Sequence, residues 1–100
     1  MPDRLELSTF EPRVGETFTL DVDQLGKVEL TLIEAEASPW QPATDSGLPH
    51  AFSIVLRGPA EFVLRQATYR VSNDALGELD IFFTPIAASA EGVDYQAVFS

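Results

Sequence analysis

The chain has 100 residues, 45% of them hydrophobic, and this is the size and composition of one folded domain. It contains no cysteine, which excludes disulfides, thiol catalysis and zinc–thiolate sites and leaves the redox compartment undetermined. Sixteen acidic residues against six basic ones give a formal net charge of −10. Such a charge repels phosphate backbones and anionic lipid surfaces, so we expect no nucleic-acid partner.

The sequence shows neither a membrane span nor a secretion signal. No window approaches the roughly 20 apolar residues that a span requires. The first residues, Met-Pro-Asp-Arg, lack a basic start followed by an apolar run. We therefore expect a cytoplasmic location by default, with export as part of an assembly left open.

The first predicted element is a short helical turn. Ser8-Thr9-Phe10-Glu11 matches the capping box, in which a hydroxyl and a carboxylate satisfy the free amides of a helix start. Pro12 and Gly15 leave room for about one turn. Its apolar residues are predicted to close one end of a sheet: Leu5, Leu7 and Phe10.

Two alternating segments follow and predict a hairpin. Apolar residues occupy every second position of Glu16–Val22, and again from Lys27 to Leu32 in the segment Lys27–Ala37. After Leu32 the apolar positions slip to Ile33 and Ala35, which predicts a β-bulge near Ile33.

Residues 38–49 predict a long exposed loop. Pro39, Pro42 and Pro49 cannot contribute to a strand ladder, and the loop is longer than most connections in a compact domain. It carries Trp40, the only tryptophan. Loops of this length often have a function.

Four further strands are predicted: His50–Arg57, Gln66–Ser72, Gly77–Ile86 with Pro85 as its terminator, and Asp94–Ser100. Residues 1–100 thus form a single all-β domain of about six antiparallel strands, a small barrel or sandwich with a meander as its simplest wiring. Bulky residues are expected to fill the interior: Phe18, Leu30, Phe52, Ile54, Tyr69, Ile81 and Phe83.

Few residues could carry chemistry. The single His50 stands at a strand entrance with no serine or cysteine motif around it, so a structural role is favoured. The segment Asp21–Gly26 is similar to the start of a calcium loop, but the third acidic position and the terminal glutamate are missing. We expect no metal and no cofactor.

Acidic pairs stand two residues apart on the polar faces of two strands, Glu34 with Glu36 and Glu78 with Asp80. Paired carboxylates can act as acid and base, so a carboxylate-dependent hydrolase is one alternative function. Solvation of the outer face is the favoured interpretation in so acidic a chain. We expect no enzyme activity.

Four residues are candidates for contact with another protein. Trp40 on the proline-rich loop and Phe82 on an otherwise polar face either cover each other or meet another chain. Arg57 is expected to bind a carboxylate of Glu61, Glu78 or Asp80, and its alternative is to meet a partner. Val55 shares the outer face with Arg57.

Three segments carry a family resemblance: Phe52–Pro59, Gln66–Val71 and Leu76–Ile86, with Phe-Ser-x-x-Leu-Arg-Gly-Pro and Leu-Gly-x-Leu-x-Ile-Phe-x-x-Pro as signatures. On these the chain resembles an uncharacterised bacterial family of small single-domain proteins, over nearly its whole length. Ala67 departs from the glycine in that family's turn motif. The resemblance implies no catalytic residues, and it implies an accessory role near phage-tail-like or tail-collar proteins.

The function we predict is a non-enzymatic interaction or assembly domain. Its outer face or an unpaired strand edge would meet another protein or a second copy of the chain. The alternative besides the hydrolase is a barrel that holds a small apolar ligand, for which we expect too little interior space.

Overall fold

The computed structural model describes residues 7–22, 26–37 and 52–99. They form a helical turn α1 (Leu7–Phe10), a 3-10 turn (Glu11–Arg13) and six strands. The strands are β1 (Thr17–Val22), β2 (Gly26–Ala37), β3 (Phe52–Gly58), β4 (Ala67–Asn73), β5 (Gly77–Ser89) and β6 (Gly92–Phe99). This confirms the all-β prediction and the helical turn that precedes the first strand.

The strands close into a barrel in the order β1-β2-β3-β6-β5-β4, and every pair is antiparallel. The predicted meander is therefore wrong at one connection. After β3 the chain crosses the end of the barrel through residues 59–66, and β6 returns to lie beside β3 as in a Greek key. Strand alternation could not reveal this order, because it specifies faces and not neighbours.

Inward-facing side chains fill the barrel. Alternation along each strand puts one row inside, as predicted, and the predicted bulge lies where the β2–β3 register shifts between Leu32 and Glu34. Of the seven predicted interior residues only Tyr69 is partly exposed, and it packs against the others. The fully buried large residues are Tyr95, Phe10, Phe18, Phe83, Leu20, Leu30, Leu32, Ile54, Leu56, Ile81, Val71 and Val93.

Aromatic residues close one end of the barrel. Phe10 of α1 is fully buried and stacks on Phe99, with ring centroids 5.6 Å apart. It also lies 5.9 Å from Phe52 and 6.4 Å from Phe18. The predicted lid is thus confirmed for Phe10 and for Leu7, which packs against the core, and Leu5 lies outside the described residues. Ser8 is inside the helical turn and not in front of it, so the predicted cap position is wrong.

The crossing segment 59–66 closes the other end. Leu64 is buried, and its backbone N–H donates to the Tyr95 hydroxyl oxygen at 2.8 Å. Burial raises the pKa of this tyrosine. Phe62 packs against the same core. Both ends are therefore closed by local segments on either side of the strands.

Strand β5 changes its partner half-way. Gly77–Phe83 pairs with β4, whereas Thr84–Ser89 pairs with β6, with a register shift between Pro85 and Ala87. Pro85 was predicted to end the strand, and this is wrong: the chain continues as a strand to Ser89. A proline can stand at such an irregularity because the ladder there is already interrupted.

Glycines at the end of β3 and at the start of β6 avoid steric clashes with neighbouring residues. A Cβ on Gly58 would lie 2.5 Å from Leu30 Cδ2, inside the core. A Cβ on Gly92 would lie 2.4 Å from the Gly58 carbonyl oxygen, and the φ of Gly92 is +147°. The side chain of Arg57 also lies next to Gly92, so there is no room for a methyl group at position 92.

We predict that Gly92→Ala destabilises the fold by about 3 kcal/mol, because both the backbone conformation and a backbone atom oppose the new methyl group. Gly77→Ala is the control: its φ is +75°, but nothing lies within 4 Å of the added Cβ. That variant should lose about 1 kcal/mol. Urea unfolding monitored by circular dichroism measures both, and equal losses would contradict the steric argument.

A buried asparagine reinforces the weakest seam of the barrel. Strands β1 and β4 pair through only two positions, Leu20 with Val71 and Thr19 with Ser72. Next to them Asn73, 7% exposed, donates to Glu16 Oε1 and to the Thr17 carbonyl oxygen, both at 3.1 Å. Its Oδ1 accepts the N–H groups of Ala75 and Leu76.

Removing this side chain should weaken the seam. We expect Asn73→Ala to cost about 2 kcal/mol of unfolding free energy, because it removes four hydrogen bonds and leaves part-buried backbone groups without partners. Ser72→Ala is the matched control on the same strand; it loses only an exposed bond of 3.4 Å to the Thr19 carbonyl and should change stability by less than about 0.5 kcal/mol. Similar losses for the two variants would show that Asn73 is not the seam's main polar link.

Candidate interaction surface

Two exposed apolar side chains lie on neighbouring strands of the outer face. Phe82 of β5 is 51% exposed and Val98 of β6 is 66% exposed. Each stands two residues beyond the Thr84–Gln96 pair, on the same side of the sheet. Thr68 is opposite Phe82 and Ser53 is opposite Val98. We call these four residues the Phe82–Val98 face.

Arg57 forms an ion pair within the domain, as favoured from the sequence. Its Nε donates to Asp94 Oδ1 at 2.7 Å and its Nη2 to Asp94 Oδ2 at 3.1 Å, and Glu91 lies 3.8 Å away. These bonds and charges raise the pKa of the guanidinium. The predicted acceptors Glu61, Glu78 and Asp80 are wrong, because β6 and not β5 is the neighbour of β3.

The third candidate for contact with another protein, Val55, is almost buried. Val55 faces outward between Glu34 of β2 and Gln96 of β6, but neighbouring side chains leave it only 8% exposed. It therefore offers little area to a partner. Trp40 and His50 lie outside the described residues, so whether Trp40 covers Phe82 stays a prediction.

A strand edge is open beside the Phe82–Val98 face. Past the Thr84–Gln96 pair, the last residues of β6 stay with β3 while Gly77–Phe83 stays with β4. No strand in the described part of the chain pairs with the second side of Gly77–Phe83. We call this side of β5 the open edge. Its backbone N–H and C=O groups can pair with an added strand.

The outer side chains of the open edge are acidic up to Phe82. Glu78 and Asp80 point outward, and Arg70 Nε of β4 donates to Asp80 Oδ1 at 3.0 Å. Arg70 lies close enough to Glu78 for that carboxylate to help raise the pKa of its guanidinium. The single positive charge of Arg70 therefore lies near two carboxylates, so the net charge of these three residues is negative.

The second acidic pair lies on β2, away from this edge. A hydrogen bond between Glu34 and Glu36, together with their repulsion, raises the pKa of Glu34. Both side chains are exposed on the outer surface. Across the residues that the structure describes, no three His, Asp or Glu side chains are grouped to hold a metal ion. In the same ranges no helix is long and apolar enough to cross a membrane.

A family model described as a domain of unknown function, DUF6916, matches residues 5–99. The chain belongs to this family. The match confirms the coarser resemblance, to an uncharacterised domain of about this length. No curated protein and no solved structure matches the chain. The family description names no activity, so function has to be argued from the surface.

Alternation along β6 indicates from the sequence that Val98 faces outward. Inward positions at Tyr95, Ala97 and Phe99 place Val98 on the outer face, where an apolar residue is conspicuous. Asn73 and the open edge had no such signal. Both depend on which strands are neighbours, and only the closed barrel shows that.

The exposed Arg70–Asp80 pair gives a titration test. Its hydrogen bond lowers the pKa of Asp80 below the ordinary value for an aspartate. The pair therefore stabilises the fold above the ordinary pKa, and this contribution is lost as the pH falls through the lowered one. We predict that Arg70→Gln moves the Asp80 midpoint upward in a carboxyl ¹³C NMR titration. Arg65→Gln removes the same charge elsewhere and should leave it unchanged; a shift with both would point to net charge alone.

Proposed function

We propose that this chain is a non-enzymatic protein-interaction domain that serves as an accessory part of a multi-subunit assembly. The Phe82–Val98 face is its contact surface. A phenylalanine and a valine, each exposed two residues past the Thr84–Gln96 pair on the outside of a small acidic barrel, are the observation that carries the proposal. Burying them in a contact removes apolar area from water, and aromatic residues are frequent anchors in interfaces.

The filled interior supports recognition on the outside. Aromatic and aliphatic side chains occupy the barrel, and α1 and the 59–66 segment close its ends. An apolar ligand would have to displace side chains that are at most a few per cent exposed. The outer surface is therefore a better candidate for binding than the barrel interior.

The arrangement of the acids supports a non-enzymatic function. A pair of catalytic carboxylates works in a cleft where their pKa values are driven apart and water is limited. Glu34 and Glu36 stand side by side on the open outer surface, and Asp80 is engaged by Arg70. A role at the rim of a protein–protein contact explains these acids more simply than catalysis does. Acidic side chains around an apolar contact keep the surrounding surface hydrated.

The partner is another protein or a second copy of the chain. We expect the purified protein to self-associate, more strongly as salt screens the repulsion between copies that each carry a net charge of −10. Phe82→Ala should weaken the association about tenfold, the effect of losing ~1.4 kcal/mol at an apolar anchor. Sedimentation equilibrium measures the constant.

Val63→Ala is the matched control, because Val63 is 58% exposed but lies in the segment that closes the far end of the barrel. It should change the constant less than about twofold. Trp40→Ala tests the loop residue and should weaken association like Phe82→Ala. A chain that stays monomeric at millimolar concentration, with Trp40 fluorescence typical of a buried indole, would contradict the proposed surface.

A further inference from the structure

The open edge of β5 adds a second element to the contact surface. Residues 77–83 run for seven positions beside β4, and their other side has no strand partner among the described residues. An edge of this length matches a typical strand, which has five or six residues. It lies directly beside Phe82, so a chain that binds there also reaches the Phe82–Val98 face.

Side chains along the edge specify what such a chain must contain. Outward positions are Glu78, Asp80 and Phe82, and inward positions are Leu79, Ile81 and Phe83. Cross-strand neighbours prefer opposite charges on one face and apolar contacts on the other. A complementary strand therefore alternates basic with apolar residues, with the basic ones on the side of Glu78 and Asp80 and the apolar ones on the side of Leu79 and Ile81.

The geometry points to β-strand addition at Gly77–Phe83 by an extended segment of another protein in which basic and apolar residues alternate. Backbone hydrogen bonds to β5 would supply the general affinity, and Glu78 with Asp80 would select cationic side chains. The inference rests on the proposed function, since it assigns a partner class to the same surface.

A second copy of the chain fits this edge poorly. Two β5 edges placed side by side would bring their own Glu78 and Asp80 carboxylates together with only one Arg70 from each copy. Like charges on facing strands are destabilising. Self-association through the Phe82–Val98 face does not require that arrangement.

A fluorescein-labelled octapeptide of alternating valine and lysine tests the inference on the full chain. We expect saturable binding by fluorescence anisotropy and slower hydrogen exchange at those amides of residues 77–83 that face away from β4. The matching peptide of alternating valine and glutamate should not bind. Glu78→Lys should weaken binding of the lysine peptide at least about tenfold, because it reverses an acid on the edge.

Glu61→Lys controls for net charge, since Glu61 is exposed at the opposite end of the barrel and the change in charge is identical. It should alter binding less than about twofold, because screening suppresses the effect of distant charges. Near-ultraviolet circular dichroism of both variants confirms that the barrel is intact before binding is compared.

Two backbone-methylated peptides separate strand pairing from adhesion of opposite charges. One carries N-methyl groups on all valine amides and the other on all lysine amides. Successive N–H groups of a strand point to opposite sides, so only one set faces β5. We expect one methylated peptide to lose binding and the other to keep it. If the two behave alike, or if the parent peptide does not bind, the inference is wrong.

These outcomes are independent of the self-association test. If Phe82→Ala weakens self-association while the lysine peptide fails to bind, the proposed function is supported and strand addition at β5 is contradicted. If the peptide binds and slows exchange at residues 77–83 while the chain never self-associates, the open edge is the contact and the apolar face only borders it.

Discussion

The change of partner by β5 is the constraint on which the rest of the molecule depends. Its first half belongs to β4 and its second half to β6, and this single strand therefore joins both sides of the barrel. The closure buries the inward row of side chains around Phe83 and Tyr95. Because β5 changes partner, Gly77–Phe83 has no second neighbouring strand among the described residues. The pairing that closes the barrel therefore also leaves the open edge.

Side chains compensate where the ladder is short. Asn73 bridges the two-position seam between β1 and β4, and Arg57 with Asp94 joins β3 to β6 close to the terminal glycines of both strands. The segment Phe52–Pro59 lies at this second junction. It provides an inward phenylalanine, an arginine for the ion pair, a glycine against Leu30 and a proline at the crossing. Each of these four residues thus has a structural role at the junction between β3 and β6.

The apolar face and the open edge have complementary properties. Phe82 and Val98 can bury area with any partner of suitable shape, which gives affinity with little selectivity. Backbone groups and acids along Gly77–Phe83 would favour an extended and basic segment, as the proposed strand addition requires. A strong net negative charge acts in the same direction, because it repels other acidic proteins and attracts basic ones before contact.

The sequence by itself determined which residues face inward, where the β2 bulge lies and that Phe82 is exposed. Each of these follows from alternation along one strand, a local property. Only the tertiary structure decided that β3 lies beside β6, that Asp94 is the acceptor for Arg57 and that Pro85 stands within a strand. It also decided that Gly77–Phe83 pairs on one side only within residues 7–22, 26–37 and 52–99. These depend on which strands meet, and alternation reads the same for every strand order. The physical reason is that period two assigns a side chain to a face, whereas neighbours are chosen by packing and closure of the whole barrel.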